Sequence, residues 1–388
     1  MEPVRFALVG VSGIGGYHRQ IMHEWEGIEL VAVAERYPDR EAVAPHVAQV
    51  RDEWQLPVYE GIWEMLDRED VEAAVIATPH HWHAEYTLGC LHRGLHVLCE
   101  KPVTVVIQDG RRVRDRAAET GRHVAVDFQF TSYPHSLKLK EIICSGDLGD
   151  ITEVVGVMEW LRTDDYYRRG DWTGKRQADG RPCWDGVMEN QGVHLINSAL
   201  QFATTAPTFA APTAITGECY VVHPEIEAED LVCLRAELDS GATLRFYATT
   251  CADSDRRTTL EISGTRGKAS WDASRAIVQR HGRDALVLDE PADRDAIHKN
   301  LCACIRGEET KLYAPAAEAI KATMLINGTY SSSGRIKRIG WEDITPVHEM
   351  MDRAAAEGKL LSEMSGVVWA EGGREVDMTR YDRFEGLP

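Results

Sequence analysis

The chain has 388 residues, a formal net charge of −19, 44% apolar residues and nine cysteines. That length exceeds one ordinary hydrophobic core and implies at least two domains. The acidic balance argues against a nucleic-acid or anionic-membrane surface, since both need a cationic footprint. No run of about 18 apolar residues is present to span a bilayer. The odd, scattered cysteines lack a CxxC pair and fit reduced thiols. Cys302 and Cys304 read as two small apolar helix residues, with no second ligand pair beside them. The opening "MEPVRFALVGV" enters an apolar strand at once, leaving no space for a signal segment, so a cytoplasmic location is expected.

"VRFALVG" (4–10) is a short apolar run of the kind buried on both faces of a sheet. Helical "GGYHRQIMHEW" follows, then strands at 28–34, 71–78, 95–100 and 123–128, with helices predicted over 83–93 and 106–120. Strands alternating with helices of this length imply crossover connections and a parallel sheet, with ligands beyond the carboxyl ends of its strands. The loop after the first strand, "GVSGIGG", matches G-x-G-x-x-G at Gly10 and Gly15, with Ser12 at the second glycine's place. Gly10, Ser12, Gly13, Ile14 and Gly15 are therefore expected to meet a dinucleotide pyrophosphate through backbone N–H groups and the helix N-terminus. Glu35 stands twenty residues beyond Gly15, at the end of the second strand. A carboxylate there bonds ribose hydroxyls and repels a 2′-phosphate, which favours NAD over NADP. Arg36 is the counter-signal, able to hold that phosphate or to stack on adenine.

"TPHHWHAE" (78–85) places His80, His81 and His83 at the carboxyl end of the strand read over 71–78. Histidine serves metals and proton transfer alike, and the stretch alone decides for neither. "HVLCEKP" (96–102) ends the next strand in the same way, so three unusual loops share one sheet edge.

Beyond about residue 130 the pattern changes to alternating stretches at 151–161, 213–223, 230–239, 242–250 and 257–263, with hairpin turns at 239–244 and 263–271. "EWLRTDDYYRRGDWTG" (159–174) offers Tyr166 and Trp172 as aromatic faces for a sugar or cyclitol, or is an ordinary polar loop. In "WDGVMENQGVHLINSALQF" (184–202), Asn190, His194 and Asn197 recur at i, i+4 and i+7 on a largely apolar helix. Buried polar groups of this kind need partners or a ligand.

Together "GVSGIGGYH", "ATPHHWHAE", "GLHVLCEKP" and "NQGVHLIN" resemble the Gfo/Idh/MocA oxidoreductases, from Val4 to about Lys337. The resemblance implies an α/β chain: an N-terminal Rossmann dinucleotide-binding domain plus a C-terminal α+β domain with a large open, mainly antiparallel sheet. The expected boundaries are 1–130, 131–342, and an extension at 343–388 packing on the same or a neighbouring subunit. The resemblance also implies that Thr78, Pro79, His80, His83, Glu100 and Lys101 line the cofactor, with His80 where the family usually has asparagine. Lys101 would polarise the substrate oxygen, with Glu100 orienting it; a surface salt-linked pair, the other reading, fits badly after a buried strand. His194 matches the family's base, and Asn190 stands where many members have aspartate, leaving it to bind a hydroxyl or orient His194.

A metal role for the histidine loop is set aside, because one or two inward histidines lack completing ligands. Trp82 is expected to pack, and His81 to face solvent. The implied activity is hydride transfer between nicotinamide and a secondary hydroxyl or ketone of a sugar, sugar derivative or inositol, in a homodimer or homotetramer. The rivals are an NAD-dependent glycosidase or lyase working by transient oxidation, and a non-catalytic dinucleotide-binding sensor.

Overall fold

A computed structural model of the chain describes residues 2–387. Two compact units divide it. The first takes residues up to Thr104, then Asp109–Phe128 and Arg294–Ala317; the second takes Val105–Gln108, Gln129–Asp293 and everything from Glu318 onward.

The first unit is built on six strands: β1 (Val4–Val9), β2 (Ile28–Ala34), β3 (Val58–Tyr59), β4 (Ala73–Ile76), β5 (His96–Cys99) and β6 (Val124–Val126). Their order is β3-β2-β1-β4-β5-β6, and every neighbouring pair is parallel. Strands β4 and β5 are buried at every residue, as their unbroken apolar runs require of a sheet covered on both faces. Because the strands are parallel, the loops after β1, β2, β4, β5 and β6 all leave from one edge. That edge carries Gly10, Glu35, Thr78, Glu100 and Asp127.

The contiguous division at residue 130 needs correction. Helix Ala296–Ile305 returns to the first unit, where Ile297, Leu301 and Cys302 share a core with Phe6, Leu8 and Val75. Pro315 then bridges to Ala125 beside β6. Cys302 is thus a core residue, as its apolar reading expected.

The second unit carries a mixed sheet in the order Leu286–Leu288, Ala276–Arg280, Gly267–Asp272, Arg257–Gly264, Ile151–Glu159, Thr243–Thr249, Leu231–Leu238, Pro212–Val221, Ile336–Arg338. Val376–Asp377 also pairs with Pro212–Val221. Two pairings are parallel, Ile151–Glu159 with Thr243–Thr249 and Pro212–Val221 with Ile336–Arg338; the rest are antiparallel. The sheet is larger than the alternating stretches foretold, because its outer strands are short and carry polar residues among the apolar ones.

Residues 343–388 belong to this unit rather than forming a third. Helix Val347–Glu357 sets Val347, Met351 and Ala354 against Val157, Tyr220, Leu231 and Tyr247 of the sheet. The extension therefore packs on its own chain. Further on, the Phe384 ring lies 5.8 Å from Tyr330 and 5.3 Å from Trp184. Met351 is fully buried in the cluster between helix and sheet. Met351→Ala should cost about 2–5 kcal/mol through lost burial and a residual cavity, read from the urea-unfolding midpoint.

Candidate active site

Backbone crowding shapes the first loop. Gly10 has φ +92°, and a Cβ there would lie 2.5 Å from the Ala77 carbonyl oxygen. At Gly15 a Cβ would fall 2.2 Å from the Gly10 carbonyl oxygen. Neither backbone can give way, so glycine is required at both. Gly13, at φ +57°, has open space where a Cβ would project. The N–H groups of Gly15 and Gly16 bond the carbonyls of Ser12 and Gly13, turning the chain into helix Ile14–Glu24. A glycine cradle between strand and helix N-terminus fits a pyrophosphate.

Glu35 closes this loop from β2. Its carboxylate accepts the Val11 N–H at 3.2 Å and the Tyr37 N–H at 3.1 Å. Arg36 lies 4.7 Å over the Trp82 ring, and Trp82 stacks on Tyr86. The packing reading of Trp82 fits this placement, and the guanidinium is held against an aromatic face.

The histidines of the next loop go separate ways. His83 is fully buried, with Nδ1 at 2.7 Å from the Pro102 carbonyl and Nε2 at 2.7 Å from that of Thr78. The ring thus lies between the Thr-Pro loop and the Glu-Lys-Pro loop, and its neutral form donates its one N–H to either carbonyl. Burial pushes the imidazole below the usual histidine range, against the pull of both carbonyls. His80 is 5% exposed and His81 8%, so His81 does not face solvent as expected. The turn His80–Trp82 draws both rings inward, an arrangement local polarity does not foretell. Among the described residues, neither buried cluster of His, Asp, Glu or Cys side chains includes a histidine of this loop.

Lys101 follows β5 directly. Its backbone N–H donates to Glu100 Oε2 at 3.1 Å, while Glu100 Oε1 lies 3.1 Å from His18 Nε2. Glu100 is only 4% exposed, which removes the surface salt-link reading of the Glu-Lys pair.

In the second unit, Met188–Gly192 is a π-helical turn that runs into the α-helix Val193–Phe202. The wider turn breaks the regular i, i+4, i+7 stripe. Asn190 Nδ2 donates to Asp185 Oδ1 at 2.8 Å and to Tyr166 Oη at 3.2 Å. Gln191 Nε2 reaches the same Tyr166 oxygen at 2.8 Å, and the Gly174 N–H holds Asp185 Oδ2 at 2.8 Å. The His194 ring lies 5.2 Å from Phe130, and Asn197 Nδ2 donates to Thr131 Oγ1 at 2.8 Å. Arg169 sits 3.9 Å over Tyr166 and 5.5 Å from Trp172. Tyr166, Asp185, Asn190 and Gln191 are thus one network, with Trp172 at its rim through Arg169.

Both halves of the chain are similar to known proteins. Residues 4–128 match the family described as "Oxidoreductase family, NAD-binding Rossmann fold", and residues 136–270 match the GFO/IDH/MocA C-terminal domain. The chain belongs to the Gfo/Idh/MocA family. Inositol 2-dehydrogenase of Rubrobacter xylanophilus is 33% identical over 150 residues, which cover 38% of this chain and 42% of that protein. D-xylose 1-dehydrogenase (NADP(+)) 2 of Haloferax volcanii is 26% identical over 313 residues, covering 79% of this chain and 89% of that protein. The first curated relatives are spanned over about half their length, 48% and 42%. Among solved structures, the WlbA dehydrogenase of Bordetella pertussis superposes with a TM-score of 0.72 at 22% identity, covering 85% of this chain and 96% of that one.

Within this Gfo/Idh/MocA chain, sequence reasoning missed Asp185, Gln191 and Glu229. Asp185 carried a signal, a carboxylate five residues before Asn190; Glu229 carried none. Glu229 is fully buried and accepts the Tyr330 hydroxyl at 2.6 Å and the Met188 N–H at 2.9 Å, anchoring the π-helical turn. Burial pushes its carboxyl up to about 8. A raised acid stabilises the fold while protonated, and that contribution is lost as pH rises through the folded value. The wild type should therefore lose about 1–3 kcal/mol between pH 6 and 9, and Glu229→Gln should flatten this slope in urea titrations.

Proposed function

We propose that the protein is an NAD-dependent dehydrogenase or reductase acting on a secondary hydroxyl or ketone of a sugar, sugar derivative or inositol. The observation that carries this reading is Lys101, placed directly after β5 beside buried Glu100, on the sheet edge that holds the Gly10–Gly15 cradle. Family membership and the names of relatives acting on inositol and xylose support it.

Gly10, Ser12, Gly13, Ile14 and Gly15 would hold the pyrophosphate, and Thr78, Pro79 and His80 the nicotinamide side. His83 acts one step back, fixing the two loops that carry these contacts. Bound NAD would supply the hydride acceptor or donor. Lys101 donates a hydrogen bond to the substrate oxygen and favours its alkoxide, and His194 exchanges the hydroxyl proton. Asn190 binds a second hydroxyl. Its amide hydrogens are committed to Asp185 and Tyr166, which orients the carboxamide; Trp172 and Tyr166 offer aromatic faces to the substrate's C–H surface. Glu35 favours NAD over NADP, since its carboxylate occupies the ribose end of the loop and repels a 2′-phosphate.

A panel of monosaccharides, inositols and anhydrosugars with NAD tests the reading. Net NADH formation supports a dehydrogenase, and product without NADH turns it to the elimination chemistry of a glycosidase or lyase. Lys101→Ala should abolish hydride transfer while NAD affinity stays within about tenfold, or 1.4 kcal/mol. His194→Ala should lower kcat by about 10²–10⁴ and remove the limb of its pH profile that reports a base, the fall in rate at low pH. NAD should be preferred to NADP in kcat/KM, and Glu35→Ser should narrow the gap; a wild-type preference for NADP would give control to Arg36.

A further inference from the structure

Directly behind Glu100 lies a group of buried ionisable side chains that the proposed reaction does not use. His18, on helix Ile14–Glu24, is 0% exposed, Glu100 4%, Asp127 after β6 1%, and His298 on helix Ala296–Ile305 0%. His18 Nε2 lies 3.1 Å from Glu100 Oε1 and 3.6 Å from Asp127 Oδ2, while His18 Nδ1 lies 2.9 Å from His298 Nε2. Glu100 Oε2 in turn accepts the Lys101 N–H. Four separate elements of one unit converge on this point, and a purely structural core would fill it with apolar side chains at lower cost.

We propose that His18 and Asp127 are positioning residues: with Glu100 they form a buried proton-sharing cluster that fixes the Glu100 carboxylate and sets the ionisation of the Lys101 amine. The inference rests on the reading of Lys101 as the group at the substrate oxygen.

Two carboxyls and an imidazole this close cannot all carry full charge without water, so protons must be retained among them. Burial, then the neighbouring Glu100 carboxyl, raises Asp127 to about 7. Burial works against charge on His18, yet the hydrogen bond to Glu100 and the charge of Asp127 outweigh it and raise its pKa. His298 is pushed down by burial and by His18, and stays neutral beside it. His18 is therefore shifted toward its protonated form against Glu100, and Asp127 takes up or releases a proton near pH 7. The other groups facing the cluster are Tyr17 on the His18 helix, His83, the buried Cys99 thiol, Lys101 and Lys299. Asp295 and Arg294 reach it through Tyr17. Among these, Lys101 is the amine that the cluster's net charge acts on at the reactive edge.

Brief acylation of the full chain with acetic anhydride from pH 6 to 11, read by mass spectrometry of the Lys101 peptide, reports the amine's titration without any substrate. Asp127→Asn removes negative charge and should lower the Lys101 midpoint by about one unit, making acylation about tenfold faster below it. Asp127→Glu, which keeps the acid, should restore the wild-type midpoint. In the wild type, the His18 imidazole followed by NMR should titrate above the ordinary histidine value. An unchanged Lys101 midpoint in Asp127→Asn overturns the proposal. If that variant does not fold, a His18 midpoint at or below the ordinary value overturns it instead. Because neither measurement needs turnover, the cluster can fail while the catalytic reading of Lys101 stands, and the reverse.

Discussion

The arrangement of the first unit depends on three stretches of backbone brought almost into contact. Gly10 passes so near Ala77, and Gly15 so near Gly10, that no side chain fits at either glycine. This approach lets the first helix begin immediately at the sheet edge, beside the loop after β4. Everything chemical in the unit follows from that edge, because parallel strands deliver their carboxyl ends to one side. Glu35, His83 and Glu100 then use side chains to link neighbouring segments: Glu35 accepts the Val11 N–H, the His83 ring lies within reach of the Thr78 and Pro102 carbonyls, and Glu100 lies against His18.

At position 190 a neutral amide on the helix has an acid beside it. The carboxylate is supplied by Asp185 and held by the Gly174 N–H, and it bonds the asparagine amide. The π-helical turn that carries Asn190 is pinned from below by Glu229. A buried acid at that point is costly unless it keeps its proton or its donors, and the Tyr330 hydroxyl and Met188 N–H supply the donors.

The C-terminal extension settles a different matter. A sheet with one apolar face uncovered must bury it against something. Val347, Met351 and Leu361 cover Tyr247 and its neighbours within the same chain. That part of the sheet is therefore covered by the chain's own extension.

Much of the site was legible in the sequence because the signals were local. An apolar run followed by glycines, a Thr-Pro or a Glu-Lys-Pro identifies a strand end and the loop beyond it, and the parallel alternation places those loops on one edge. Glu35, Thr78 and Lys101 stand where that logic set them. Local pattern could not show which distant groups meet. His18 pairs with Glu100 across 82 positions and with His298 across 280, and most strands of the second sheet stand between them in the chain. Nor could polarity alone foretell that His81 turns inward, that Asn190 sits on a π-helical turn, or that residues 343–388 fold back on their own sheet. Periodicity reports how a segment presents its faces, and it is set within a few residues. Burial of a polar or charged group depends on partners that only the folded chain brings within hydrogen-bond reach.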